Sequence, residues 1–122
     1  MRSKCLLVLV ALLLLGAVSA QAGVLRVVVV ETSDSAAYVK ALEQGKALMK
    51  SKGIPNNLRV WRARFAGDKA GAVAVAIEYA SLEELAKADA MMSTDAELKA
   101  WLAGLAKVRK IVSDSIYEEM HP

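Results

Sequence analysis

The sequence predicts an α+β fold in which strands and helices follow one another as βαββαβ, giving a four-stranded antiparallel sheet with two helices on one face. Three observations predict it. Residues 24–30 and 72–79 are β-branched and apolar, two helical periods separate the extended runs, and a short glycine-containing connection joins the second run to the third.

Residues 24–30 (VLRVVVV) are apolar on both alternating faces and read as a strand buried on two sides. Residues 32–35 then offer N-cap side chains. Tyr38, Leu42, Gly45 and Met49, with Ala41 and Leu48, recur at helical spacing up to Gly53, and Lys46, Lys50 and Lys52 crowd the end, where cations suit the helix dipole. Gly53 and Pro55 stop that helix. Residues 58–65 follow as a strand, 66–71 as a turn and 72–79 as a third strand, an antiparallel hairpin. Ser81 with Glu84, and Thr94 with Glu97, are capping boxes, so the second helical region is read as one helix broken near residues 92–94. Residues 111–120 close the sheet, with Val112, Asp114, Ile116 and Glu118 alternating against Ile111, Ser113, Ser115 and Tyr117.

Right-handed crossovers turn this order into the ferredoxin-like arrangement, with the first and third strands central. Charge placement agrees. The second strand bears Arg59, Arg62 and Arg64 and the fourth bears Asp114, Glu118 and Glu119, as edges do. Two helices cover only one face, yet Leu25, Val27 and Val29 project opposite to Val24, Val28 and Val30. Leaving one such face wet forfeits on the order of 5 to 10 kcal/mol at about 25 cal/mol per Å², so a second copy packed sheet against sheet is expected.

Residues 1–22 read as a secretory signal peptide: Arg2 and Lys4, an apolar stretch from Cys5 to Leu15, and small residues leading to cleavage after Ala20 or Ala22. The stretch is short for a membrane span, which needs about 20 residues, so no stable membrane anchor is expected after cleavage. Residues 23–122 are then one domain, periplasmic or secreted. Of 16 basic and 13 acidic residues, the leader holds two basic and no acidic ones, so its removal lowers the formal net charge from +3 to +1. That near-neutral balance gives little support for a nucleic-acid partner. The single cysteine, Cys5, belongs to the leader, so the mature domain must be stabilised by packing or association rather than by disulfides.

On the hairpin leading into residues 75–82 (VAIEYASL), the broken helix through 94–101 (TDAELKAW) and the terminal run 111–117 (IVSDSIY), the chain resembles the dimeric α+β barrel superfamily. The likeness is to small uncharacterised, NIPSNAP-like and antibiotic-biosynthesis-monooxygenase-like members, and it extends from Val24 to Glu119. It implies a homodimer whose sheets close into a barrel. Haem-binding groups of that superfamily usually place a histidine within the barrel. Here the one histidine, His121, is the penultimate residue, so no cofactor is expected.

Candidate chemistry is sparse. With no cysteine in the mature chain there is no thiolate nucleophile and no zinc site of imidazole and thiolate ligands, so no catalytic or metal residues are assigned. The acidic pairs Glu83–Glu84 and Glu118–Glu119 read as a helix N-terminus and as opposite faces of a strand, and Met91–Met92 as filling at the helix break. Tyr38, Trp61, Arg62 and Trp101 are the candidate ligand-binding residues, two indoles and a phenol beside a charged donor for an acidic or carbonyl-bearing molecule. Against that, Trp101 shares a helical stripe with Leu98, Leu102 and Leu105, and Arg62 suits an edge-strand guard. The expected function is binding of a small, partly apolar organic molecule between sheet and helices. The alternatives are a cofactor-independent monooxygenase or isomerase using Trp61, Tyr38 and an arginine, and a structural or interaction module of the cell envelope.

Overall fold

The computed structural model describes residues 23–64 and 67–121. The leader, Phe65, Ala66 and Pro122 lie outside the described residues. The elements are β1 (Val24–Glu31), α1 (Ser35–Ser51), β2 (Leu58–Arg62), a 3-10 turn (Gly67–Lys69), β3 (Val73–Tyr79), α2 (Leu82–Thr94), α3 (Ala96–Ala106) and β4 (Lys110–Glu118). The strands form one antiparallel sheet in the order β2-β3-β1-β4, so the first and third strands are central and the more charged second and fourth are edges. This is the ferredoxin-like arrangement, with its second helical region divided into two helices.

Local chemistry sets the boundaries. Asp34 caps α1 by accepting from the Ala37 N–H at 3.0 Å. Thr32 donates to the Val108 carbonyl at 2.7 Å, which ties the start of α1 to the approach of β4. α1 ends before Gly53, whose φ of 70° is a left-handed conformation that glycine adopts without steric cost, and Ile54 turns back into the core. Ser81 caps α2 through the Glu84 N–H, as its capping box predicts. The second cap differs from the expectation. Asp95 both ends α2 and caps α3, accepting from Leu98 N–H at 3.0 Å, while the Thr94 hydroxyl turns back to the Ala90 carbonyl. A carboxylate one residue later competes better for the exposed helix N–H groups, and Lys52 at the end of α1 clamps it at 2.9 Å.

Two strands also end differently from their sequence pattern. β2 stops at Arg62, although Ala63 still exchanges backbone hydrogen bonds with Gly71 and Ala72 to close the hairpin. In β4 the pairing with β1 steps from Val29↔Ser113 to Val30↔Ile111, so Val112 is an extra residue and a β-bulge. Simple alternation put Ile111 on the face of Ser113; the bulge carries it to the face of Val30 instead.

Residues directly paired across strands share a face. One face carries Val24, Arg26, Val28 and Val30 of β1 beside Tyr79, Ile77, Val75 and Val73 of β3, and the helices cover it. Its core has two clusters, one around Tyr38, Leu42 and Leu105 and one around Met49, Leu85 and Leu98, with Ile77 and Trp101 packed against both. The opposite face carries Leu25, Val27 and Val29 beside Glu78, Ala76 and Ala74, with Trp61 and Arg59 on one flank and Tyr117, Ser115 and Ser113 on the other. Among the described residues no helix covers that face.

Candidate functional site

Arg26 is a charge in the middle of a central strand, on the helix-covered face. Such a group is tolerated only with partners, and two elements supply them. Nε and Nη2 donate to the two carboxylate oxygens of Asp114 on β4 at 3.0 and 2.7 Å, and Nη1 donates to Asp89 on α2 at 2.7 Å. The hydrogen bond to Asp114 raises the Arg26 pKa further above its ordinary value despite the opposing effect of burial. The same bond lowers the pKa of Asp114. Tyr79, beside this cluster, has its phenol pKa raised, by burial first and by Asp89 second, so it stays protonated at neutral pH.

The ion pairs stand at a cavity of about 210 Å³ between sheet and helices. Its walls come from Val28, Val75 and Ile77 of the sheet, Leu42 and Met49 of α1, and Trp101, Leu102 and Leu105 of α3, with Arg26, Asp89, Asp114 and Arg109 as its charged part. It falls along the seam between the two core clusters. The bulge at Val112 brings Ile111 into the same wall.

Trp101 is fixed there by α1. Its indole N–H donates to the Ala41 carbonyl at 2.9 Å. The ring lies directly over Gly45, where an added Cβ would overlap indole carbons Cζ2 and Cε2. Glycine inside a helix is otherwise unfavourable by about 0.5–1 kcal/mol relative to alanine, so close approach is its reason here.

The other candidates are dispersed. Tyr38 is fully buried, with its hydroxyl accepting from Arg109 Nη1 at 3.1 Å. Arg62 lies on the edge strand and donates to the Ser35 hydroxyl at 3.1 Å. Trp61 is 52% exposed beneath the guanidinium of Arg59, 4.9 Å from the ring centroid, on the uncovered face of the sheet. Trp61 and Arg62 line an open groove between β2 and α1, whereas Trp101 lines the interior cavity. The four residues therefore do not meet in one pocket, because alternation along β2 and the thickness of the sheet separate Trp61 from Tyr38. Sequence reading missed Arg26, Asp89 and Arg109 and took Asp114 for an edge charge. The available signal was Arg26, a lone charge within VLRVVVV.

Among the described residues no group of three or more His, Cys, Asp or Glu side chains is placed to hold a metal ion, and no helix is long and apolar enough to cross a membrane.

No family model and no curated protein matches the chain. Solved structures do. A NIPSNAP family protein from Agrobacterium tumefaciens superposes with a TM-score of 0.59 at 16% identity, covering 84% of this chain and 88% of its own. The likeness is one of fold. A NIPSNAP-like domain protein from Burkholderia xenovorans gives a TM-score of 0.56 at 10% identity over 82% of this chain and 85% of its own. A conserved protein of unknown function from Bacteroides thetaiotaomicron, described as a possible oxidoreductase, gives 0.53 at 13% identity over 82% and 100%.

Proposed function

We propose that the protein is an exported, homodimeric ligand-binding domain that takes a small, partly apolar organic molecule into the cavity between its sheet and helices. The observation that carries this reading is the cavity of about 210 Å³, apolar over most of its wall and charged in one sector. Apolar cavities of about 150 Å³ admit a benzene ring, so a ring-sized body with a small polar head fits the volume. Apolar walls with a few converging polar groups are the usual composition of a small-molecule site.

Dimerisation rests on the uncovered face. Leu25, Val27, Val29, Ala74 and Ala76 are half-buried in the single chain, and the large side chains of Trp61 and Tyr117 stand exposed beside them at 52% and 58%. A second sheet laid against these rows removes that surface from water. The oxygenase reading has less support, since Trp61 and Tyr38 lie on opposite sides of the sheet. Export rests on the leader sequence, and N-terminal sequencing of protein recovered from the periplasm or medium should begin at Gln21 or Gly23.

The cavity is tested in a Trp61→Phe background, where Trp101 is the sole indole. Titration with benzyl alcohol should change Trp101 emission saturably, and Leu102→Phe, which adds bulk to the cavity wall, should abolish the change. An indole indifferent to the titrant, or a response unaltered by Leu102→Phe, would overturn the binding role.

A further inference from the structure

Arg26 and Arg109 line the same cavity, but their donors are used differently. The fork of Arg26 is consumed by Asp114 and Asp89. Arg109 has no carboxylate within ion-pair distance among the described residues. Its Nη1 donates to the buried hydroxyl of Tyr38, and its Nε is buried with no hydrogen-bond partner among the described residues. A buried donor without an acceptor is rare and costly, and a guanidinium always carries its charge. Nε and Nη2 form one edge of the guanidinium, the edge that binds a carboxylate through two parallel hydrogen bonds. Asp89 and Asp114, already bonded to Arg26, leave that three-residue cluster with a net charge of −1. With Arg109 the four charged side chains sum to zero, so a ligand's first negative charge has the Arg109 fork to meet it and a second has no cation left.

From this we infer that the cavity takes a small apolar monocarboxylate, with Arg109 as the residue that binds its carboxylate head and the Trp101 wall holding its apolar body. The inference rests on the binding role proposed above and specifies the ligand class.

The test compares three probes with one ring and different heads, benzoate, benzamide and benzyl alcohol, together with the dianion phthalate, by isothermal titration of the purified protein. Benzoate should bind about tenfold more tightly than benzamide or benzyl alcohol, as expected when a charge-assisted fork replaces neutral hydrogen bonds, and phthalate should bind more weakly than benzoate. Arg109→Gln should erase the preference for benzoate, so that benzoate, benzamide and benzyl alcohol bind alike, whereas Arg109→Lys should retain part of it. Equal binding of the three heads by the native protein would show that water or a carbonyl suffices at Nε and would overturn the inference while leaving the cavity as a binding site. So would a benzoate preference that persists in a folded Arg109→Gln variant. Failure of every probe would overturn the binding role itself. If Arg109→Gln does not fold, the native protein's choice between benzoate and benzamide, with Arg109→Lys, decides the matter.

Discussion

The two faces of the sheet are built from the same central strands, and both look apolar in sequence, yet they solve different problems. The covered face contains Arg26 bound to two carboxylates and a cavity beside it. The uncovered face presents flat rows of Leu25, Val27, Val29, Ala74 and Ala76. A half-buried charge demands partners from other elements, so the covered face is where chemistry can be positioned. A flat apolar face demands only another surface.

Adjacent residues of β1 offer the strongest way to break this comparison. Val28 is 9% exposed on the covered face, and Val27 is its neighbour on the uncovered one. Val28→Asp should abolish folding, since an unpaired carboxylate in the core costs several kcal/mol against a net stability of about 5–15. Val27→Asp should keep the native circular dichroism spectrum but convert the proposed dimer to monomer in analytical ultracentrifugation. If Val27→Asp unfolds the chain as Val28→Asp does, or leaves a dimer intact, the faces do not differ as described.

Gly45→Ala is expected to have the next largest effect, and its sign is informative. At an unencumbered helical position the change would stabilise by about 1 kcal/mol. Here the new methyl meets the Trp101 ring, so a loss of about 1–3 kcal/mol in denaturant unfolding is expected, with a shifted Trp101 emission. A gain in stability would mean that the indole does not rest on α1.

A third comparison uses pH. Asp114 has an ordinary pKa of 3.8 and is held below it chiefly by the hydrogen bond from Arg26. A depressed folded-state pKa gives stability that is present above the unfolded value and lost as pH falls through the folded one. The native protein should therefore lose stability in acid below about pH 4, where the unfolded chain begins to take up the proton. Arg26→Met removes the cause: the acid loss attributable to Asp114 should flatten, while stability at neutral pH falls by about 1–3 kcal/mol because two carboxylates lose their partner. Melts of both proteins from pH 2 to 7 check this, and parallel curves would deny Arg26 its role. Asp114 keeps 36% of its side chain exposed, so solvent screening holds its own share to the low end.

Much of the fold was legible because hydrophobic period and caps are local properties. The strand order, the hairpin, Ser81 as a cap and Gly53 as a stop follow from neighbouring residues. The site was less legible because it joins residues 63 and 88 positions apart around Arg26, and pairing across β4 depends on a bulge that alternation does not reveal. Gly45 and Trp101 each had a correct helical place, but their mutual contact is tertiary. Trp61 and Tyr38 were grouped by chemical type, whereas side-chain direction along β2 decides which face each residue serves.

The smallest expected effect concerns the helix break, which holds α3 and its Trp101 against the covered face. Two adjacent residues could cap α3, and their side chains go to different partners. Thr94 bonds backward to Ala90, while Asp95 receives the Leu98 N–H and the Lys52 ammonium. The hydrogen bond from the Leu98 N–H is the main cause of the lowered pKa of Asp95, ahead of Lys52, so the cap and the clamp act on the same carboxylate. Asp95→Ala removes both and should lower the melting temperature more than Thr94→Ala, whose hydroxyl bond only supplements an existing helical turn. The difference should narrow in acid as Asp95 becomes protonated in the native protein. Equal losses at neutral pH would return the cap to Thr94, and with it the view that the second helical region is one helix with a frayed middle rather than two helices pinned at a shared carboxylate.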